Sequence, residues 1–75
     1  MTQSEARTVA ETFISATDMR GYSVVYADAS KDEKTPDEWL VRFDLYSPNG
    51  GLVDSPTFVF VNEKTGLARF FEGSL

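Results

Sequence analysis

Glu38-Trp39-Leu40-Val41-Arg42-Phe43-Asp44-Leu45-Tyr46-Ser47 is the stretch on which the fold turns. Trp39, Val41, Phe43 and Leu45 occupy alternate positions, with Leu40, Arg42, Asp44 and Tyr46 between them. Successive side chains of a strand point to opposite faces, so this period of two predicts a strand over 38–47. The Trp39 set is wholly apolar and must meet a core. The Leu40 set mixes apolar with charged residues, so its face is partly wet. Ser47-Pro48-Asn49-Gly50-Gly51 follows, a turn signal with two glycines free to take positive φ.

Downstream, Leu52-Val53-Asp54-Ser55-Pro56 fits an irregular edge segment. Thr57-Phe58-Val59-Phe60-Val61 is a β run apolar on both faces, so either the Phe58/Phe60 set or the Val59/Val61 set can point inward. Asn62-Glu63-Lys64-Thr65-Gly66 then fits a hairpin loop built on a type I turn, with Gly66 in the left-handed region. A last strand is predicted over 67–72, with Ala68 and Phe70 on one face and Leu67, Arg69 and Phe71 on the other.

Upstream, Tyr22 to Ala29 has strand composition, with Tyr22, Val24 and Tyr26 on one face and Ser23, Val25 and Ala27 on the other. Residues 30–37 read as a polar loop, with Pro36 ending any regular structure. Ala6, Val9, Ala10, Phe13, Ile14 and Thr17 recur at helical spacing, which predicts a helix over roughly 3–19. Thr2 and Glu5 form a capping box, with Ser4 as a rival cap, and Gly21 after Arg20 supplies a stop. A helix followed by strands joined in sequence implies an α+β fold, one N-terminal helix packed on a three- to four-stranded antiparallel meander sheet, as a single domain over 1–75. The expected core takes Val9, Phe13 and Ile14 from the helix, and Val24, Trp39, Val41, Phe43, Phe58, Phe60 and Phe70 from the sheet.

Composition bounds the chemistry. The chain has 75 residues with no Cys and no His, which removes disulfides, Cys/His zinc sites, thiol nucleophiles and imidazole bases. Seven basic against twelve acidic residues give a net charge of −5, and Arg7, Arg20, Lys31, Lys34, Arg42, Lys64 and Arg69 form no run. Nucleic-acid affinity rests on neutralising phosphates with Lys and Arg, so neither nucleic acid nor an anionic membrane is expected as a partner. The apolar runs are too short to span a bilayer, and no leader-like segment precedes the helix, so a cytoplasmic location is expected.

The remaining candidates for chemistry read as structural. Asp28, Asp32, Glu33, Asp37 and Glu38 lack the spacing and glycine of a calcium loop, and Lys31 and Lys34 interrupt them. Ser55 and Ser74 have no activating base at a recognisable spacing. Gly50-Gly51 is followed by neither a lysine nor a helix, so it is no phosphate loop. Arg42 and Arg69 are expected to pair with Asp44 and Glu72. No cofactor, metal or catalytic residue is assigned, and the chain is read as non-enzymatic.

One helix covers only one face of a sheet. The other face would still carry Leu40, Tyr46, Phe71 and one apolar set of the third strand, unless 48–56 folds beneath it. A contiguous apolar surface of that kind marks an interaction site. The expected contact set is Leu40, Arg42, Tyr46, Arg69 and Phe71, because large aromatics and Arg dominate binding hot spots. The first functional reading is therefore a small protein-binding domain that acts through a sheet face or edge. Two others stand beside it: a structural homodimer in which the same face is self-paired, and a small-ligand module with a pocket lined by Phe13, Trp39, Phe43 and Phe58.

Trp39 at the start of a strand, Phe43, and Pro56-Thr57-Phe58-Val59-Phe60-Val61-Asn62-Glu63-Lys64-Thr65-Gly66 together resemble the YrhB-like family of small bacterial immunity proteins. That family has a helix, then a strand with Gly-Trp before an aromatic-rich stretch, then a Pro-Phe-Ile/Val-Val-Asp-Lys-x-Thr/Ser-Gly hairpin. The resemblance runs over residues 6–74, with its specific part at 39–43 and 56–66. Glu38 departs from the family's Gly, Asn62 from its Asp, and Asp54-Ser55 from its Gly-Asn. A similar Thr-Gly hairpin occurs in PepSY-like inhibitory domains. The resemblance implies a protein that neutralises or chaperones another protein. It carries over no catalytic residue, because the motif positions set a hairpin and a core.

Overall fold

The computed structural model describes residues 1–71. Helix α1 (Gln3–Ser15) precedes strands β1 (Ser23–Asp32), β2 (Thr35–Tyr46), β3 (Thr57–Asn62) and β4 (Ala68–Phe70). The strands form one antiparallel sheet in the order β1-β2-β3-β4, and α1 touches all four across a single face. This is the α+β architecture the sequence predicts, with the meander at its four-stranded limit.

The helix opens on the predicted capping box. The Thr2 hydroxyl accepts from the Glu5 amide at 3.1 Å, and the Glu5 carboxylate accepts from the Thr2 amide at 2.7 Å. Hydrogen bonding from Thr2, first from its amide and then from its hydroxyl, holds the Glu5 carboxyl below the usual carboxylate range. The helix ends at Ser15, well before the predicted Thr17–Met19 region. There the Thr17 hydroxyl donates to the Phe13 carbonyl at 2.9 Å, and the Asp18 carboxylate accepts from the Arg20 amide. Such side-chain bonds compete with helix continuation. Arg20 therefore lies outside the last helical turn, and Gly21 (φ 88°) serves the turn into β1 rather than the helix end. A Cβ on Gly21 would stand 3.2 Å from the Pro48 ring, so the small residue also admits the 47–51 turn.

The 30–37 loop is corrected to a hairpin. β1 continues to Asp32 and β2 starts at Thr35, with only Glu33 and Lys34 between them. Lys31 pairs with Trp39 but Asp32 with Thr35, so Pro36, Asp37 and Glu38 bulge out of the β1 ladder. Pro36 sits inside that bulge, where the ladder asks for no N–H donor. A second bulge, at Ala27, has a larger consequence. Tyr26 pairs with Phe43 and Asp28 with Arg42, so the extra residue reverses the alternation of β1. Ala29 consequently points into the core, 5% exposed, and Asp28 points away from it.

The core is formed by Ala6, Ala10 and Ile14 of the helix against Ala29, Val41, Phe43, Val59 and Val61 of the sheet. Alanines at 6 and 10 let the helix backbone approach the strands closely, and Phe13 meets Phe70 with ring centroids 4.8 Å apart. The open choice in β3 is settled for the valines. Val59 and Val61 are fully buried beneath the helix, while Phe58 and Phe60 lie half-buried on the opposite face. The register requires this: Val41 pairs with Val59 and Trp39 with Val61, and antiparallel partners share a face. Val9, Val24, Phe13, Trp39 and Phe70 pack around the core as half-buried residues rather than inside it.

Two stability outcomes follow. Val59→Ala removes two buried methyl groups and is expected to cost about 2 kcal/mol in urea unfolding, with no comparable loss for Val25→Ala on the exposed face. Thr2→Ala removes the helix cap and is expected to cost about 1 kcal/mol in the same measurement.

Candidate functional site

The sheet face turned away from α1 carries the candidate site. Strand alternation places Leu40, Arg42, Asp44 and Tyr46 of β2 on it, together with Phe58 and Phe60 of β3 and Arg69 of β4. The chain then continues this face through Phe71, whose amide donates to the Phe58 carbonyl at 3.0 Å. Leu40 pairs with Phe60, and Phe60 with Arg69, so three strands contribute to one row. Phe71 stands over the two β3 aromatics, its ring centroid 6.1 Å from that of Phe58 and 5.7 Å from that of Phe60. The Arg69 guanidinium lies 4.5 Å from the Phe60 ring centroid. The result is a continuous aromatic patch with a cation laid on it.

The structure brings together four of the five predicted contact residues and separates one. Leu40, Arg42, Arg69 and Phe71 surround Phe58 and Phe60. Tyr46 shares their face but sits at the far end of β2, beyond Asp44, where it pairs with Ser23 and bridges to Leu52. The sequence reading places Phe58 and Phe60 in the core while leaving the inner face of their strand open, so the two central aromatics of the patch are absent from the expected contact set. The signal that locates them is the register with β2, which a single apolar run cannot supply.

Among the described residues, the segment 48–56 runs along the sheet edge rather than under this face. Val53 donates to the Leu45 carbonyl at 2.8 Å and Ser47 to the Gly51 carbonyl at 2.8 Å, so the chain extends the sheet edge beside the end of β2. Leu52 stays 62% exposed and Phe71 43% exposed.

Charges frame the patch in pairs other than those expected from the sequence. Arg42 reaches Asp28, its partner across the β1–β2 ladder, at 2.7 Å, not Asp44. The Ala27 bulge is the reason, since it turns Asp28 onto this face. Arg69 reaches over Phe60 to both carboxylate oxygens of Glu38, at 3.2 and 3.3 Å. Glu72, its expected partner, and Ser74 lie outside the described residues. Each such exposed pair contributes about 0.2–1 kcal/mol, so their main effect is to orient the guanidinium groups.

The other carboxylates of the first hairpin are engaged locally. Asp32 accepts from the Lys34 amide, and Asp37 stands 3.5 Å from the Lys64 ammonium. At the same end of the sheet Glu63 receives the Lys31 ammonium at 2.6 Å and the Trp39 indole N–H at 3.2 Å. The Lys31 hydrogen bond holds the Glu63 carboxyl below its ordinary value, against the opposing effect of partial desolvation.

The four residues proposed to line a pocket are not brought together, because Phe58 lies across the sheet from Phe13, Trp39 and Phe43. A different concavity of about 830 Å³ opens at the end of the sheet, between the 17–22 turn and the 53–58 segment. Met19, Tyr22, Leu45, Val53 and Phe70 line it, and Phe58 and Phe71 join it to the aromatic patch. No helix of the described residues is long and apolar enough to cross a membrane. Comparison with family models, with curated proteins and with solved structures finds no match to the chain.

The Glu63 pair predicts an acid-sensitive increment of stability. Its folded-state affinity for a proton is lowered, so the stabilisation is present above the ordinary carboxylate range. It is lost as pH falls through the depressed folded value. Melting temperatures of the wild type and Glu63→Gln, followed from neutral pH down through about pH 3, should differ most at neutral pH and converge on acidification below about pH 5.

Proposed function

We propose that this chain is a small, non-enzymatic protein-binding domain that acts through the sheet face opposite α1. The observation that carries this reading is the aromatic patch of Phe58, Phe60 and Phe71 with Arg69 stacked on it. Aromatic and Arg side chains clustered in one place are what binding hot spots are made of. A sheet face bearing such a cluster, ringed by charged residues, has the apolar centre and polar rim of a protein interface. The candidate acids and bases support the same reading by what they do. Asp28, Asp37, Glu38 and Glu63 are each engaged by a cation within the chain, and Glu5 caps a helix.

The resemblance of the 39–43 and 56–66 segments to YrhB-like immunity proteins extends the proposal to an immunity- or inhibitor-like role. In that role the face would close over a surface of the protein to be neutralised. The motif residues act on the face indirectly. Asn62 accepts from the Lys64 and Thr65 amides, and Gly66 at φ 73° lets the hairpin close. That hairpin fixes the register that places Phe60 beside Arg69.

Phe60→Ala combined with Phe71→Ala is the test. The double variant should retain the far-ultraviolet circular dichroism and cooperative melting of the parent, because neither ring belongs to the helix-side core. Tagged parent protein should retain from native extract a protein that the double variant loses. Identical retention by both would remove the face from the function, and collapse of the fold would make the two rings structural.

A further inference from the structure

We infer that Asn49 is a self-modification site: its side-chain amide closes onto the Gly50 nitrogen, and the resulting ring opens to isoaspartate and aspartate. The reaction consumes only water and stands apart from the binding role of the sheet face.

Ser47-Pro48-Asn49-Gly50-Gly51 forms the turn that follows β2, and Asn49 and Gly50 are exposed in it. The Gly50 amide donates to the Ser47 carbonyl at 2.9 Å, which puts Pro48 and Asn49 at the centre of a β-turn. The Asn49 Oδ1 accepts from the Gly51 amide at 3.1 Å and from the Ser47 hydroxyl. To reach Gly51, the side-chain carbonyl folds back along the main chain past Gly50, whose nitrogen is the nucleophile. Gly50 has no side chain to shield that nitrogen, and the place a Cβ would take is open space.

The atoms balance within the turn. The Gly50 nitrogen gives its proton to hydroxide and bonds to Cγ of Asn49. Negative charge develops on Oδ1, where the Gly51 N–H and the Ser47 O–H already point. The Cγ–Nδ2 bond then breaks, and the nitrogen takes a proton from water and leaves as ammonia. A cyclic imide remains. Water that opens it at the main-chain carbonyl yields isoaspartate, and water that opens it at Cγ yields aspartate.

The chain's other asparagine, Asn62, supplies the internal control. Its Oδ1 also accepts two amides, from Lys64 at 2.9 Å and Thr65 at 3.0 Å. Polarisation of the carbonyl is therefore common to both sites, and the nucleophile separates them. The Glu63 nitrogen donates to the Asp37 carbonyl at 2.7 Å across two strands, and its side chain is held by Lys31 and Trp39. The Gly50 bond closes within one exposed turn, which can open without parting any strands.

The two products act differently on the fold. Aspartate keeps an acceptor oxygen for Gly51 and Ser47 and adds a negative charge to a chain of net charge −5. Isoaspartate carries the main chain through the former side-chain carbons and so lengthens the turn. That turn seats Pro48 against Gly21 and closes the Tyr46–Leu52 bridge, so the longer main chain loosens both.

The test holds the full chain at neutral and mildly alkaline pH and maps its peptides by mass spectrometry, with fragmentation that distinguishes isoaspartate from aspartate. The expected result is loss of the amide at Asn49 with both acids formed, faster at the higher pH, while Asn62 stays intact. Isoaspartate identifies the ring route, because direct hydrolysis of the amide gives aspartate alone. Ser47→Ala should slow the loss by about two- to tenfold, the span that one net hydrogen bond commands, and Ser47→Thr should restore it. An Asn49 amide that outlasts that of Asn62, or that yields aspartate alone, overturns the inference. Loss in Ser47→Ala as fast as in the parent, with circular dichroism and melting unchanged, overturns the part given to the Ser47 hydroxyl.

Discussion

Val41 is the residue through which the rest of the structure is constrained. It pairs with Ala29 on one side and Val59 on the other, and Val59 pairs in turn with Phe70. One row of side chains thus runs across all four strands directly beneath α1. Because partners in a ladder share a face, fixing Val41 inward fixes the facing of every strand. The same constraint that buries Val59 and Val61 drives Phe58 and Phe60 to the other side. The aromatic patch is a consequence of the valine row, not an independent feature.

The two sides of the sheet are built on different principles. Beneath the helix the buried residues other than Phe43 are small or branched aliphatics, and the alanines at 6 and 10 allow close approach, so packing there is tight and dry. Opposite the helix the residues are large and flat, with charged groups laid among them. Arg69 spans Phe60 to reach Glu38, and Arg42 spans β1 and β2 to reach Asp28. These pairs hold the cations over or beside apolar rings without burying them, which keeps their desolvation cost low. A face of this kind is compatible with water and also ready to exclude it. That combination underlies the proposed binding role.

The Ala27 bulge links the two sides. Without its extra residue, β1 would place Asp28 under the helix and Ala29 in solvent. The bulge therefore removes a carboxylate from the core and supplies the partner that orients Arg42 on the outer face. The Pro36 bulge acts at the other end of the same ladder, where it lets a proline lie within a strand.

The sequence by itself determined the helix and its cap, the alternation of β2, the glycine-closed hairpin at 62–66 and the sequential antiparallel order. Each of these rests on local causes: side-chain period, hydrogen bonds between near neighbours, and the φ freedom of Gly66. The face opposite the helix was also legible, in that Leu40, Arg42, Arg69 and Phe71 share it. The tertiary structure decided what local pattern left degenerate. Thr57–Val61 is apolar at every position, so no period identifies its inner face until the β2 register does. Nothing in Val24–Ala29 marks Ala27 as the extra residue, and only pairing with β2 reveals it. The partners of Arg42 and Arg69 lie 14 and 31 residues away along the chain, distances that only the folded ladder closes.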